Sequence, residues 1–341
     1  MRLPRLKLLE PKSVKEACGH LAEWKERVRV MAGGSDVLIA LKRRLIRPEA
    51  LLDLHSLQPK LSYVTEGSGI IRIGALTSLS TLETDPILRK YVPSLAAAAS
   101  GVASAQIRNS ATIGGNLLLD NRCHYYNYAN LPGIEIWEAC FKKKGNICHV
   151  SSKRDGICFA VYSGDLAALL IPLGAKVCLI SNRGERSLPV EDLYSGLGQR
   201  PFVLEPDEML IEVALPIPKI GSVATYQKFR LQDVDYPMAG IGVVLQGDGI
   251  WGPSSPIESA RIALTAAGSA PVRVKGAEEL LRDRVLTSNL IEQAAELCVK
   301  QARFFSNVHL NPGARRLALL TLVRQCLTRL MASQHEEEMG P

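Results

Sequence analysis

Aromatic side chains make up only 5% of this 341-residue chain. No helical basic stripe or base-stacking motif accompanies them, so the platforms and charged grooves of nucleic-acid binders are missing. Long apolar runs are missing as well. The longest uncharged stretch, Tyr91 to Ile107, is broken by Pro93 and by serine and glycine, and the opening MRLPRLKLLEPKS has charge but no apolar core. Neither a membrane span nor a signal peptide is expected. The glycine-rich fingerprints of Rossmann and Walker sites are absent, as is any C-x2-C pair.

What is present suffices for a buried core. The composition is 47% hydrophobic and 22% charged, which excludes a disordered chain and allows two or three domains. Without a leader or span, the eight cysteines are expected as thiols in a reducing, cytoplasmic setting, where ligation outranks a disulfide framework. Cys123, Cys140, Cys148 and Cys158 cluster in one segment, while Cys18, Cys178, Cys298 and Cys326 stand singly among apolar neighbours and read as inert core thiols. Part of the basic excess, 41 Lys and Arg against 34 Asp and Glu, falls in the same segment at Lys142, Lys143, Lys144, Lys153 and Arg154. A rim for an acidic partner or an anionic ligand fits that charge.

The pattern along the chain begins with helix and strand in alternation. Ser13 and Glu16 form a capping-box start to a helix reaching Trp24, followed by a strand over Val28 to Met31, a Gly-Gly turn, a helix from Asp36 and a strand over Leu51 to Leu54. This predicts a compact unit of parallel character. Strands over Leu61 to Val64 and Ile70 to Ile73, helices over Ser78 to Arg89 and Pro93 to Ser104, and strands over Lys176 to Ser181 and Met209 to Leu215 follow. Beyond Pro216-Ile217-Pro218 the chain turns to long strands, Ala224 to Leu231, Ile241 to Gln246 and Ser259 to Ala267, and then three helical segments ending near Met331, the order of a separate α+β domain. The acidic tail Glu336-Glu337-Glu338 reads as a frayed end.

Two glycine-rich segments are candidates for phosphate contact. Ala32-Gly33-Gly34-Ser35-Asp36 lies where a strand meets a helix, so consecutive amides could cradle a pyrophosphate, and a tight turn capped by Ser35 or Asp36 is the plainer alternative. The second, Gln106-Ile107-Arg108-Asn109-Ser110-Ala111-Thr112-Ile113-Gly114-Gly115-Asn116-Leu117, offers a hydroxyl, two glycines and an amide in succession, against a polar loop between helix and strand.

The pair AGGSD and IRNSATIGGN, about eighty residues apart, resembles the FAD-binding subunit of the molybdenum hydroxylase family, whose relatives include xanthine dehydrogenase and carbon monoxide dehydrogenase. The resemblance runs from about Arg5 to Ala332. It implies an α+β chain with a PCMH-type FAD-binding fold of two α/β subdomains, over 1–58 and 59–222, an insert at about 118–160, a carbon monoxide dehydrogenase flavoprotein-type domain over 223–332, and a tail over 333–341. It further implies that Val30, Met31, Ala32, Gly33, Gly34, Ser35, Asp36 and Val37, with Thr112, Ile113, Gly114, Gly115 and Asn116, line the diphosphate and ribityl chain of FAD. Val102 would add a backbone or apolar contact, and Asp165, in Tyr162-Ser163-Gly164-Asp165-Leu166-Ala167, the carboxylate on the adenosine side. Leu210 would pack on the flavin or adenine, and Lys228, in Tyr226-Gln227-Lys228-Phe229-Arg230, would stand near the cofactor. For Leu210 and Lys228 a buried strand residue and a surface lysine are equally good readings of the residues alone. The chain departs from the family at Phe202, where a threonine is usual, and at Gly196-Leu197-Gly198-Gln199, which lacks the aromatic expected over the flavin ring.

The cysteine segment is an insert of about forty residues relative to ordinary members. Its spacings, x16, x7 and x9, match no short ligand motif, yet four thiols satisfy a [4Fe–4S] cluster. The stretches around Arg122-Cys123-His124-Tyr125-Tyr126-Asn127 and Gly145-Asn146-Ile147-Cys148-His149-Val150 resemble the loop of the β subunit of 4-hydroxybenzoyl-CoA reductases, which carries FAD and a [4Fe–4S] cluster, an addition also seen in some bacterial aldehyde oxidoreductase flavoproteins. Zinc on the same thiols, or with His124 and His149 replacing two of them, remains open, although these histidines read better as flanking groups.

The resemblance implies an oxidoreductase subunit for electron transfer in a dimer of heterotrimers, with molybdenum pterin on a large subunit, two [2Fe–2S] clusters on a small one, and ferredoxin or another carrier outside. An autonomous FAD oxidoreductase and a zinc-stapled interaction module are the alternatives.

Overall fold

The computed structural model describes residues 3–127, 140–151, 156–249 and 255–332. Lys153, Arg154, the acidic tail and the middle of the cysteine insert therefore lie outside the described residues.

The chain opens with β1 (Lys7–Leu9), α1 (Val14–Trp24), β2 (Val28–Met31), α2 (Val37–Lys42) and β3 (Ala50–Asp53). These strands form a parallel sheet in the order β1-β3-β2, the parallel character expected from the alternation. Ser13 caps α1 by accepting from the Glu16 amide, and Glu16 reaches back to the Lys12 amide, so the capping box closes one residue earlier than its ideal form. Leu9, Ala17, Leu21, Leu52 and Leu57 make the core of this unit.

Next come α3 (Gln58–Leu61), β4 (Val64–Gly67), β5 (Ile70–Gly74), α4 (Leu79–Thr84), α5 (Pro86–Tyr91), α6 (Pro93–Ser100), α7 (Ala105–Ser110), α8 (Ile113–Leu117), α9 (His124–Asn127), α10 (Ala167–Leu170), β6 (Lys176–Ser181), β7 (Gly184–Pro189), β8 (Tyr194–Leu197), β9 (Arg200–Phe202) and β10 (Met209–Pro216). A five-stranded sheet runs β4-β5-β10-β6-β7, and β8 pairs with β9 alone. The strand expected over Leu61 to Val64 begins only at Val64, because Pro59 starts a helical turn ending at Leu61. The helix expected over Ser78 to Arg89 breaks at Asp85, which is extended before Pro86 and caps α5 through the Ile87 and Leu88 amides. The helix expected over Pro93 to Ser104 stops at Ser100, and the second glycine segment is a pair of short helices capped by Ser104 and Thr112.

The last part contains β11 (Ser222–Phe229), β12 (Ala239–Gly247), β13 (Ile257–Thr265), β14 (Val272–Arg273), α11 (Lys275–Leu281), α12 (Ser288–Gln301) and α13 (Pro312–Ala332). Its sheet runs β11-β12-β13-β14, antiparallel throughout. The three helices bury Leu281, Ile291, Cys298, Val323 and Cys326 on it. Among the described residues no helix is long and apolar enough to cross a membrane.

Candidate functional site

The β2 strand delivers the first glycine turn at its carboxyl end, and α2 leaves it. Gly34 has φ +73°, the left-handed region that glycine adopts without strain. A Cβ on Gly33 would stand 1.7 Å from the Ser110 carbonyl oxygen, so the two glycine segments meet backbone on backbone. The amides of Gly33, Gly34, Ser35 and Asp36 have no acceptor among the described residues. All four residues line one cavity of about 1440 Å³. Unpaired consecutive N–H groups in a concave wall are the donor set that a pyrophosphate requires.

The second segment is built differently. The Ile113 amide donates to Thr77 O, Gly114 to Ala75 O, Gly115 to Thr112 Oγ1 and Asn116 to Thr112 O. These four amides are spent inside the chain, so Ile113 to Asn116 supply shape and apolar wall rather than a second cradle. Asn116 Oδ1 accepts from the Leu166 amide at 3.0 Å, which ties this segment to the Gly164-Asp165 turn.

Asp165 also lines the cavity. It is 2% exposed, and its Oδ1 accepts from Lys228 Nζ at 2.7 Å and Tyr226 OH at 3.0 Å. Burial pushes its carboxyl up from the usual range, and the Lys228 ammonium opposes that rise. Lys228 stands behind Asp165 and does not itself line the cavity. Val102, Thr112, Gly114, Gly115, Asn116 and Leu210 do, as do Val30, Ala32 and Val37, whereas Met31 and Ile113 lie outside it.

Sequence reasoning missed three aromatics on this wall, Tyr126, Phe202 and Tyr236; Phe202 had appeared only as a departure. The Arg122 guanidinium lies 3.7 Å over the Tyr236 ring and reaches Asp36 Oδ1 at 2.7 Å. Burial raises the Asp36 carboxyl despite that partner. No local pattern marks Arg122, since its partners are remote in sequence.

The four clustered cysteines line a second, small pocket together with Tyr125, Tyr126, Lys142 and His149. Cys123, Cys140 and Cys158 are buried and Cys148 is half-buried, and all are free. Burial pushes the Cys123 thiol up to about 12 and raises Cys140 and Cys158. The hairpin β8–β9 packs on Cys158. Gly198 N donates to Cys158 O, Gln199 Oε1 accepts from the Cys158 amide, and a Cβ on Gly198 would stand 2.9 Å from Cys158 Sγ. The segment lacking an expected aromatic thus holds the cysteine loop.

Among the described residues no three His, Cys, Asp or Glu side chains converge on the position of one metal ion, and the space between the thiols is about 10 Å³. A cubane binds each thiolate through a different iron, so its ligands stand farther apart than those of a single ion. The donor chemistry fits that group, with four thiols and His149 Nε2 buried beside them without a hydrogen-bond partner, but the loop has to spread to admit it. His124 faces His309 instead, ring centroids 4.7 Å apart. Of the scattered cysteines, Cys18, Cys298 and Cys326 are buried, while Cys178 is half-buried and contacts Glu185.

Residues 4–218 match the family model described as the FAD binding domain in molybdopterin dehydrogenase, and residues 224–330 match the CO dehydrogenase flavoprotein C-terminal domain. The chain is 30% identical over 266 residues to an aldehyde oxidoreductase FAD-binding subunit of Escherichia coli, covering 74% of this chain and 79% of the relative. It is 26% identical to a nicotine 6-hydroxylase medium subunit of Paenarthrobacter nicotinovorans, over 96% and 98% of the two chains. Carbon monoxide dehydrogenase from Hydrogenophaga pseudoflava contains a chain of the same fold, with a TM-score of 0.79, 26% identity and coverage of 97% and 99%.

Proposed function

The chain belongs to the family of FAD-binding subunits of the molybdenum hydroxylases, and on that premise we propose that it is the electron-transfer subunit of a heteromeric molybdenum hydroxylase or aryl-CoA reductase. In this reading FAD lies in the large cavity and a [4Fe–4S] cluster on Cys123, Cys140, Cys148 and Cys158. The observation that carries it is the run of four unpaired amides at Gly33–Asp36 in a cavity that Asp165 also lines.

When bound, FAD supplies an exchange between two-electron and one-electron partners, and the cluster supplies single-electron transfer. The residues of the chain bind and orient. Gly33 to Asp36 hold the pyrophosphate, and Val30, Ala32 and Val37 continue that wall with Met31 supporting it from behind. Thr112, Ile113, Gly114, Gly115 and Asn116 back the turn and shape the path of the ribityl chain. Val102 and Leu210 give apolar contact. Lys228 and Tyr226 fix Asp165 through Oδ1, which leaves Oδ2 for a ribose hydroxyl or the adenine amine.

The relatives named as medium or FAD-binding subunits support a role inside a complex. We place the molybdenum pterin on a large subunit, [2Fe–2S] clusters on a small one, and ferredoxin or a similar carrier outside, in a dimer of heterotrimers. Anaerobic purification of the native complex with flavin, iron and zinc quantitation tests the reading. About eight irons per FAD is the expected result, four from the cluster on this chain and four from the two [2Fe–2S] clusters of the small subunit. About four irons per FAD removes the cluster from this chain, and zinc without flavin overturns the whole.

A further inference from the structure

Tyr126 and Lys142 line both the flavin cavity and the cysteine pocket. The Lys142 side chain is only 4% exposed, which is unusual for a lysine. Its Nζ donates to Asp120 Oδ1 at 2.8 Å and to Gly198 O at 2.9 Å, and lies 5.0 Å from the centre of the Tyr126 ring. Gly198 N in turn donates to Cys158 O. An ion pair whose ammonium is buried while its carboxylate is 23% exposed is still a costly way to hold a wall, since an apolar pair of similar volume does as well or better. Its charges are also poorly screened here, so each acts on whatever charge changes on either side.

We propose that Lys142 is a positioning residue for electron transfer, whose ammonium raises the reduction potential of the groups on both sides of this wall and which Asp120 holds in place while partly offsetting it. The cluster half of this inference rests on the function proposed above; the flavin half requires only the family's FAD. A positive charge stabilises the reduced, more negative form of a neighbouring centre, and a negative charge does the opposite.

The test is redox titration of the native complex carrying Lys142→Met, Asp120→Asn or both, with flavin followed by absorbance and iron–sulfur by electron paramagnetic resonance, and FAD and iron quantified in each. Lys142→Met lowers the potentials and Asp120→Asn raises them, each by roughly a tenfold change in the one-electron equilibrium, about 59 mV. The double variant, which leaves no unpaired charge, returns towards the original values. Disruption of packing alone would move both single variants the same way, so shifts of one sign, or none, overturn the proposal. Should Lys142→Met fail to load cofactors, Lys142→Arg is the companion, with potentials held near the original. A native complex with flavin and only the small subunit's iron, about four per FAD, overturns the cluster reading instead, and the flavin potentials then decide this one.

Discussion

Arg122 reaches Asp36 at 2.7 Å across 86 residues of sequence. Arg122 directly precedes the first clustered cysteine, and Asp36 ends the turn with the unpaired amides, so one ion pair fastens the cysteine loop to the flavin cavity. The same guanidinium covers Tyr236. Replacing it leaves a half-buried carboxylate beside the place proposed for a pyrophosphate. Arg122→Met is therefore expected to weaken FAD binding by roughly tenfold, equivalent to about 1.4 kcal/mol, as read by fluorescence titration of the deflavinated complex. Unchanged affinity would show that the contact is incidental to the flavin.

Gly33→Ala places a methyl group against the Ser110 carbonyl and has to part the two glycine segments. The expected outcome is a folded complex with strongly reduced flavin, measured by the ratio of flavin to protein absorbance. Full flavin content would sink the idea that this contact shapes the cradle.

Cys148→Ser is predicted to lower iron content and alter the paramagnetic signal while FAD stays bound. The Cys178→Ser variant is the control, since Cys178 lies on β6 against Glu185. Equal iron in both variants would remove Cys148 from the ligand set.

Gly198→Ala probes the hairpin that packs on Cys158. The added methyl would stand 2.6 Å from Cys158 O and 2.9 Å from Cys158 Sγ, so iron should fall while flavin is largely kept. Iron determination on the purified variant decides it; retained iron would mean that the hairpin yields without moving Cys158.

Glu208, on the cavity wall, accepts from Arg186 Nε at 2.6 Å and Nη2 at 2.7 Å and from the Glu205 amide at 2.9 Å. The bond from Arg186 holds its carboxyl below the usual 4.5. With the folded value depressed, its contribution to stability is full above about pH 4.5 and is lost as pH falls through the lowered value. Thermal unfolding of the Glu208→Gln variant should thus lie below that of the unsubstituted chain at neutral pH and converge with it in acid. A gap that persists in acid would assign the difference to packing.

Much of this was legible locally. The β2–turn–α2 unit carries its strand, glycines and helix in consecutive residues, and the long apolar strands β12 and β13 announce themselves in the same way. The edge strand β7 does not, because Gly184-Glu185-Arg186-Ser187-Leu188-Pro189 is exposed along most of its length and has no buried face to impose alternation. Clustering of four thiols in sequence pointed to one pocket. It did not foretell that the β8–β9 hairpin packs on Cys158, since Gly198 and Gln199 meet Cys158 only through the tertiary fold. Nor did the spacing of Asp165 and Lys228 reveal that they form a pair, or the second glycine segment that its Ile113 to Asn116 amides are already taken.

The close approach of Gly33 to Ser110 also bears on how this protein responds to supply. Part of the cavity wall belongs to the parallel sheet unit and the rest to the residues that follow it, so any occupant bridges two parts of the fold. By mass action such an occupant stabilises the folded chain in proportion to the logarithm of its free concentration over its dissociation constant. Scarcity of flavin would then show first as a lower unfolding temperature of this chain.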